Sequence, residues 1–285
     1  LLIMKRPSLQ CILQVDDSYH SAFQYIRCLY DSKYSNTTIC KNRTTGEIIV
    51  LKENTNQKYF YQLQREIIIL RKLNHPGIIN IKDFHINVES QKCYIVLPYF
   101  KNGDLFDFYE KNPSFFTIGR ILEVIRKLLI IVKYCHDNNI CHRDIKLENI
   151  LLNDDFLETM SITLIDFGLS VEKHGDQFIM NEVCGSPDYM APEILSYDES
   201  YYSEQCDVWS IGVILYFFVY KKFPFDYDDV KSLRYKINTI EIDYPSSSVE
   251  TPELVDLLQN LLCKDPKHRI TLHDALIHEC FSYAI

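Results

Sequence analysis

"CHRDIKLENILL" occupies Cys141 to Leu152 and sets a carboxylate, an ammonium and an amide (Asp144, Lys146, Asn149) into a run that ends apolar. Four further stretches follow it in order: "DFG" (Asp166–Gly168), "CGSPDYMAPE" (Cys184–Glu193), "DVWSIGVILY" (Asp207–Tyr216) and "KDPKHRIT" (Lys264–Thr271). Any one short motif is weak; five in a fixed order decide the fold together. They lie in a chain of 285 residues, 47% of them hydrophobic, enough to bury a large core as one large domain or two small lobes. The net charge is −9 and the sequence pI about 5.5. That balance argues against nucleic acid or an anionic membrane as the main partner, because phosphate binding wants a basic face. It would suit a basic peptide.

The ten cysteines are scattered and none forms a C-x-x-C pair. A well-cored chain does not need disulfide staples, so reduced thiols in the cytoplasm or nucleus are expected. "CHDNNICH" mixes zinc-type ligands at Cys135, His136, Cys141 and His142, but no second matching cluster follows. No secretory signal peptide is expected: the apolar start precedes its charges and lacks a small-residue cleavage site. The longest apolar run, Ile211–Tyr220, is too short to span a bilayer and reads as a helix buried on all sides.

The first third is strand-rich. "EIIVLKE" (Glu47–Glu53) follows a "TTG" turn, and "KCYIVLPYF" (Lys92–Phe100) is β-branched and aromatic. Between them "YQLQREIIILRKLNH" reads as a helix ending before Pro76. After Gly103 the chain turns helical, with Ile121, Val124, Ile125, Leu128 and Val132 at helical spacing. Thr251 is a candidate N-cap with Pro252 at the first helical position.

The five motifs closely resemble the eukaryotic protein kinase family over roughly Tyr25–Phe281. "CGSPDYMAPEIL" is most similar to the AMP-activated and sucrose-non-fermenting type within the calcium/calmodulin-dependent group. The resemblance implies a bilobal α+β fold. A small antiparallel β-sheet lobe with one main helix precedes a larger, mostly helical lobe. The expected division is an N-terminal extension over 1–18 and a kinase domain over 19–285, with a small lobe over 19–97, a hinge over 98–102 and a large lobe over 103–285. The implied function is transfer of the ATP γ-phosphoryl to serine or threonine of a protein, by a monomer, with Mg²⁺.

Phosphoryl transfer asks for positioning and charge neutralisation rather than covalent help. Mg²⁺ wants hard oxygen ligands; by resemblance Asp166 and Asn149 hold the metals. Asp144 would accept the proton of the substrate hydroxyl, and Lys146 would sit by the transferring phosphate. Lys52 would meet the α- and β-phosphates and be held by Glu66. The Lys52-to-Glu66 interval is shorter than in many relatives, so the approach to that helix looks trimmed. Leu97 falls at the gatekeeper position, and Pro98, Tyr99 and Phe100 form the hinge. Pro98 lacks an N–H, which leaves Phe100 as the backbone partner for adenine. Val50 and Leu151 would sandwich adenine. Asp104 falls where relatives contact ribose and a substrate arginine. Glu193 and Arg269 should form a buried ion pair, and Asp207 should anchor the catalytic loop.

The glycine-rich loop is the departure. Gly46 is the first glycine of the chain. The three loop glycines map onto Tyr30, Ser32 and Ser35, and the apolar residue over adenine onto Thr37. Glycine lets a backbone approach phosphate closely. Losing one charge-assisted N–H bond of about 1.5–3 kcal/mol weakens ATP binding by roughly ten- to a hundredfold. Ser32 and Ser35 can offer hydroxyls instead. An active enzyme is the reading; the alternative is a pseudokinase or scaffold. "DIKLEN" disfavours a tyrosine kinase, and "SPDYMAPE" a small-molecule kinase. Glu182 stands where relatives carry an activating threonine, and Arg143 is placed to pair with a phosphate there. Asp104, Glu148 and the acidic net charge suggest arginine-containing substrates. "KRPSL" is such a sequence, which makes Ser8 a candidate autophosphorylation site.

Overall fold

The computed structural model describes residues 21–31, 35–174, 177–178, 184–195, 203–245 and 251–282. Ser8, Ser32 and Glu182 lie outside the described residues. The chain divides into two compact units. One comprises Leu1–Asn74 and Ile79–Tyr99; the other comprises His75–Ile78 and Phe100–Ile285.

The first unit is a five-stranded antiparallel sheet with one long helix. Its strands are β1 (Phe23–Asp31), β2 (Ser35–Asn42), β3 (Ile48–Asn54), β4 (Asp83–Asn87) and β5 (Lys92–Pro98), in the order β1-β2-β3-β5-β4. The helix α1 (Gln57–Leu70) enters between β3 and β4. The register sorts the strand residues by face, because residues directly opposite one another point the same way. Thr37 lies opposite Lys52 and Ile39 opposite Val50. Val50 in turn lies opposite Leu97, and Lys52 opposite Ile95. Thr37, Val50, Lys52 and Leu97 therefore share one face. The other face buries Cys40, Ile49, Leu51, Tyr94 and Val96 with Phe23 against them.

The approach to α1 is short and has a physical device. Asn54 closes β3; its side chain accepts from the Cys93 N–H at 2.6 Å and donates to the carbonyls of Gln91 and Asn56, at 2.9 and 3.1 Å. Asn56 then caps α1 by accepting from the Tyr59 N–H at 3.0 Å. Two asparagines thus turn the chain from strand to helix without a longer connection. The apolar stripe Phe60, Leu63, Ile67 and Leu70 buries the inner face of α1 and carries Glu66 inward with it.

The second unit is mainly helical. Its elements are α2 (Leu105–Lys111), α3 (Ile118–Asp137), β6 (Ile140–Cys141), β7 (Ile150–Leu152), α4 (Phe156–Thr159), β8 (Ile162–Leu164), β9 (Val171–His174), β10 (Gln177–Phe178), α5 (Pro192–Leu195), α6 (Gln205–Tyr220), α7 (Val230–Thr239), α8 (Pro252–Leu261) and α9 (Leu272–Leu276). The expected stripe on α3 is buried throughout, and α6 is buried on nearly every side. Thr251 caps α8 with Pro252 in its first turn, as its sequence suggested. Glu193 and Arg269 form the expected buried pair, bidentate at 2.7 and 2.9 Å. The guanidinium also donates to the carbonyls of Cys263 and Gln205 and lies over the Trp209 ring. Those extra partners are what make burial of a charged pair tolerable. Among the described residues no helix is long and apolar enough to cross a membrane.

Candidate active site

In the first unit, Lys52 and Glu66 meet. The Lys52 ammonium is 2.8 Å from a Glu66 carboxylate oxygen, with side chains 10% and 2% exposed. Strand and helix bring them together from positions whose sequence shows no common pattern. A buried lysine needs such a partner, and the Tyr59 ring flanks it at 6.0 Å. Val50, Leu97 and Thr37 line the same face of the sheet as Lys52. Leu97 is buried and Val50 half-buried.

The strands β1 and β2 pair beside β3 and contain no glycine. Pairing runs down to Tyr30↔Thr37 and Asp31↔Asn36, with irregularities between Tyr25 and Arg27 and between Cys28 and Tyr30. Ser35 is buried and begins β2; Tyr30 is 61% exposed at the far end of β1. At Tyr30 and Ser35, two of the positions where the loop glycines map, backbone pairing opposite Thr37 and Asn54 shapes the strands.

In the second unit, the segment from His142 to Asn149 is tied at nearly every polar atom. Asp207, wholly buried in the first turn of α6, accepts from the backbone N–H groups of His142 and Arg143, each at 2.8 Å. His136, in the last turn of α3, lies 2.8 Å from the same carboxylate. Burial pushes the Asp207 carboxyl up, but the His136 hydrogen bond and the His142 backbone N–H outweigh it. They hold it below the usual carboxylate range. The His142 ring accepts from the Asp144 N–H at 3.2 Å on Nδ1, which leaves Nε2–H to donate to the Ile165 carbonyl at 3.0 Å. Its ring meets Phe167 edge-on at 4.7 Å.

Asp144 carries three kinds of partner. The Asn149 amide donates to its carbonyl and its carboxylate, at 2.8 and 3.1 Å. The Ser186 N–H and hydroxyl donate to Asp144 Oδ1, at 2.9 and 3.0 Å. Lys146 lies 3.0 Å from Oδ2 and donates to the Ser186 hydroxyl at 2.7 Å. Ser186 thus joins Asp144 and Lys146. Gly185, beside it, has φ +111°, and a Cβ there would lie 2.8 Å from the Arg143 carbonyl oxygen. That position requires glycine on both counts.

The β7–β8 hairpin pairs Ile150 with Leu164, and the Ile165 N–H donates to the Asn149 carbonyl at 3.0 Å. Asn149 and Asp166 are therefore neighbours at one end of that hairpin. Asp166 takes a left-handed backbone (φ 63°), as does Arg143 (φ 71°). Such conformations persist only where surroundings fix them. The Asn149 amide nitrogen is spent on Asp144, so its oxygen is the atom left to ligate. One carboxylate and one amide oxygen are hard donors of the type Mg²⁺ takes, and the residues fit that ion. Asp104 caps α2 by accepting from the Asp107 N–H at 2.8 Å, and is bridged to Leu151. Burial pushes the Asp104 carboxyl up against the pull of the Asp107 N–H. Tyr99 is the last residue of the first unit and Phe100 the first of the second stretch of the other.

The sequence reading missed two participants. His136 was weighed only as a zinc-type ligand, and the structure does bring it within 4.8 Å of Cys141 and Asp207. However, the Asp207 oxygens are spent on His136, His142 and Arg143, which makes the group a clamp. The available signal was a titratable residue four positions after Val132, on the buried stripe of α3. Ser186 stands in "CGSPDYMAPE", and nothing in its neighbours announces the bond to Asp144.

The sequence profile of the protein kinase domain matches residues 25–281. Serine/threonine-protein kinase 33 of Bos taurus is 33% identical over 248 residues, covering 84% of this chain and 50% of that protein. Serine/threonine-protein kinase GIN4 of Saccharomyces cerevisiae is 36% identical over 222 residues, 76% of this chain and 18% of that protein. Serine/threonine protein kinase OSK3 of Oryza sativa is 32% identical over 265 residues, 90% of this chain and 49% of that protein. The chain spans half or less of the length of these curated relatives.

Proposed function

The chain belongs to the protein kinase family, on its serine/threonine side, and from that premise we propose that it transfers the γ-phosphoryl of ATP to serine and threonine hydroxyls of proteins. The observation that carries this is the Asp144–Asn149–Lys146–Ser186 network, with the Lys52–Glu66 pair intact in the other unit.

Lys52, fixed by Glu66, binds the α- and β-phosphates as a point charge. Val50 and Leu151 supply apolar contact to adenine, and Leu97 limits the depth of its pocket. Ser35 and Ser32 offer hydroxyls where glycine N–H groups would otherwise act alone. Asn149 and Asp166 would hold Mg²⁺, which would neutralise charge on the phosphates when bound. Asp144 orients the incoming hydroxyl and takes its proton as the oxygen bonds to the γ-phosphorus and the bridging oxygen leaves with ADP. Lys146, bound to Asp144 and Ser186, offers its ammonium to the transferring group. Asp104 and Glu148 favour substrates with arginine near the target residue.

The test is Mg²⁺-dependent transfer of labelled γ-phosphate to an arginine-containing serine peptide, with its tyrosine counterpart and Asp144→Asn as controls. Label on the serine peptide, lost in the variant, is the expected result. Label on the tyrosine peptide alone would reverse the specificity. ATP binding without transfer would favour the scaffold reading, which the absent loop glycines and Pro98 motivate.

A further inference from the structure

The inner face of α1 is accounted for by the sheet and by Lys52. Its outer face is not. Lys58, Tyr61, Arg65 and Ile68 are all exposed, Tyr61 at 56% and Ile68 at 51%. They follow one another at intervals of three, four and three, so they form a single straight seam along the helix. Exposed Lys72 extends the row just past the helix end. Cations alternate with apolar side chains along this seam. The one acid of α1, Glu66, is buried on the opposite side against Lys52. The result is a narrow basic and apolar strip on a chain of net charge −9.

We propose that this face of α1 docks an acidic amphipathic helix from a partner protein. The alternation specifies the partner: two apolar side chains to lie against Tyr61 and Ile68, flanked by carboxylates to meet Lys58 and Arg65. The regular interval specifies a helix, since a helix presents its own seam at the same repeat. A second copy of the chain meeting this seam about a two-fold axis would present the same cations and apolar side chains and no carboxylate to pair with them. Nucleic acid would leave Tyr61 and Ile68 without apolar contact and would meet an acidic protein. From Lys58 to Ile68 the seam is about 15 Å long, which fits a small, reversible interface of the weak class. Because α1 also carries Glu66, a partner clamped along it would hold the carboxylate that fixes Lys52. That consequence rests on the kinase reading; the docking itself does not.

The experiment is a direct binding measurement on the whole chain, by fluorescence anisotropy. The probe is a capped, labelled two-heptad peptide with Leu at a and d and Glu at e and g. Saturable binding is expected, weakened at least about tenfold by Arg65→Glu and by Ile68→Ser, each tenfold being one decade of affinity. Leu157→Ser, at an exposed apolar position on α4, should leave it unchanged. Melting temperatures establish that each variant is folded. The proposal is overturned if the peptide fails to bind at about 0.5 mM, which corresponds to less than about 4.5 kcal/mol. It is equally overturned if Arg65→Glu binds as well as the wild type, or if a Lys-substituted peptide or a single-stranded oligonucleotide binds as tightly. Because no phosphoryl transfer is read, an inactive enzyme could still pass this test, and an active one could fail it.

Discussion

The loop from His142 to Asn149 and the β1–β2 hairpin are built on opposite principles. From His142 to Asn149 side chains fix the backbone: Asp207 holds two N–H groups, His142 holds the Ile165 carbonyl, and Asn149 holds Asp144. In the hairpin, backbone pairs with backbone down to Asp31↔Asn36, and exposed side chains such as Tyr30 do little to define it. A loop fixed by side chains cannot lose them without losing geometry. A hairpin fixed by its ladder can trade glycine for serine or tyrosine and keep its course, at a cost confined to how closely it approaches phosphate.

The largest effect should come from the catalytic loop. Asp144→Asn keeps the acceptor for Ser186 but removes the base, so kcat should fall by about 10²–10⁴ with little change in ATP KM. A loss below tenfold would mean that the network orients nothing essential. Next, Asp207→Ala leaves the His142 and Arg143 N–H groups buried without an acceptor. Urea denaturation should report a loss of about 2–5 kcal/mol, the cost of two unsatisfied donors. A near-neutral result would show that the loop does not need its clamp.

Glu66→Gln sharpens the contrast within the first unit. It removes the carboxylate charge 2.8 Å from the buried Lys52 ammonium, and kcat/KM for ATP should drop about ten- to a hundredfold, or about 1.4–2.7 kcal/mol. On the hairpin, Tyr30→Gly and Ser35→Gly should tighten ATP binding by up to about tenfold per N–H bond regained. Each should cost about 0.5–1 kcal/mol of stability, because glycine weakens a strand. Titration calorimetry and thermal melting together check both halves; tighter melting with weaker ATP would invert the account. The smallest effect is in pH. The Asp207 carboxyl is held below its unfolded value, so its contribution is complete above about pH 4 and is lost as pH falls through the folded value. The urea midpoint should fall less steeply below pH 4 in Asp207→Asn than in the wild type.

What could be read from the sequence follows the same division. Asp144, Asn149, Asp166 and Asp207 stand out because their neighbours are fixed by contact with them, so the motifs extend over many residues. Glu193 and Arg269 were legible for the same reason, although they are far apart in the chain. The hairpin was legible only as a missing pattern: a ladder of backbone hydrogen bonds places few demands on side chains, and the register that puts Thr37 opposite Lys52 has no local signature. The short entry to α1 was visible as an interval, but the two asparagines that permit it were not, since Asn54 acts through Cys93 and Gln91 on a distant strand. His136 was misleading in sequence because a histidine beside cysteines suggests metal, whereas its partner is a carboxylate brought from α6.

The central claim is that the side-chain-fixed loop preserves catalysis while the hairpin weakens only ATP binding. Steady-state kcat and ATP KM, measured separately on the wild type with a serine peptide, test it most directly. The account predicts a kcat within the family range of about 1–100 per second and a raised KM that falls in Ser35→Gly. No transfer at saturating ATP, with ATP still raising the melting temperature, would contradict it.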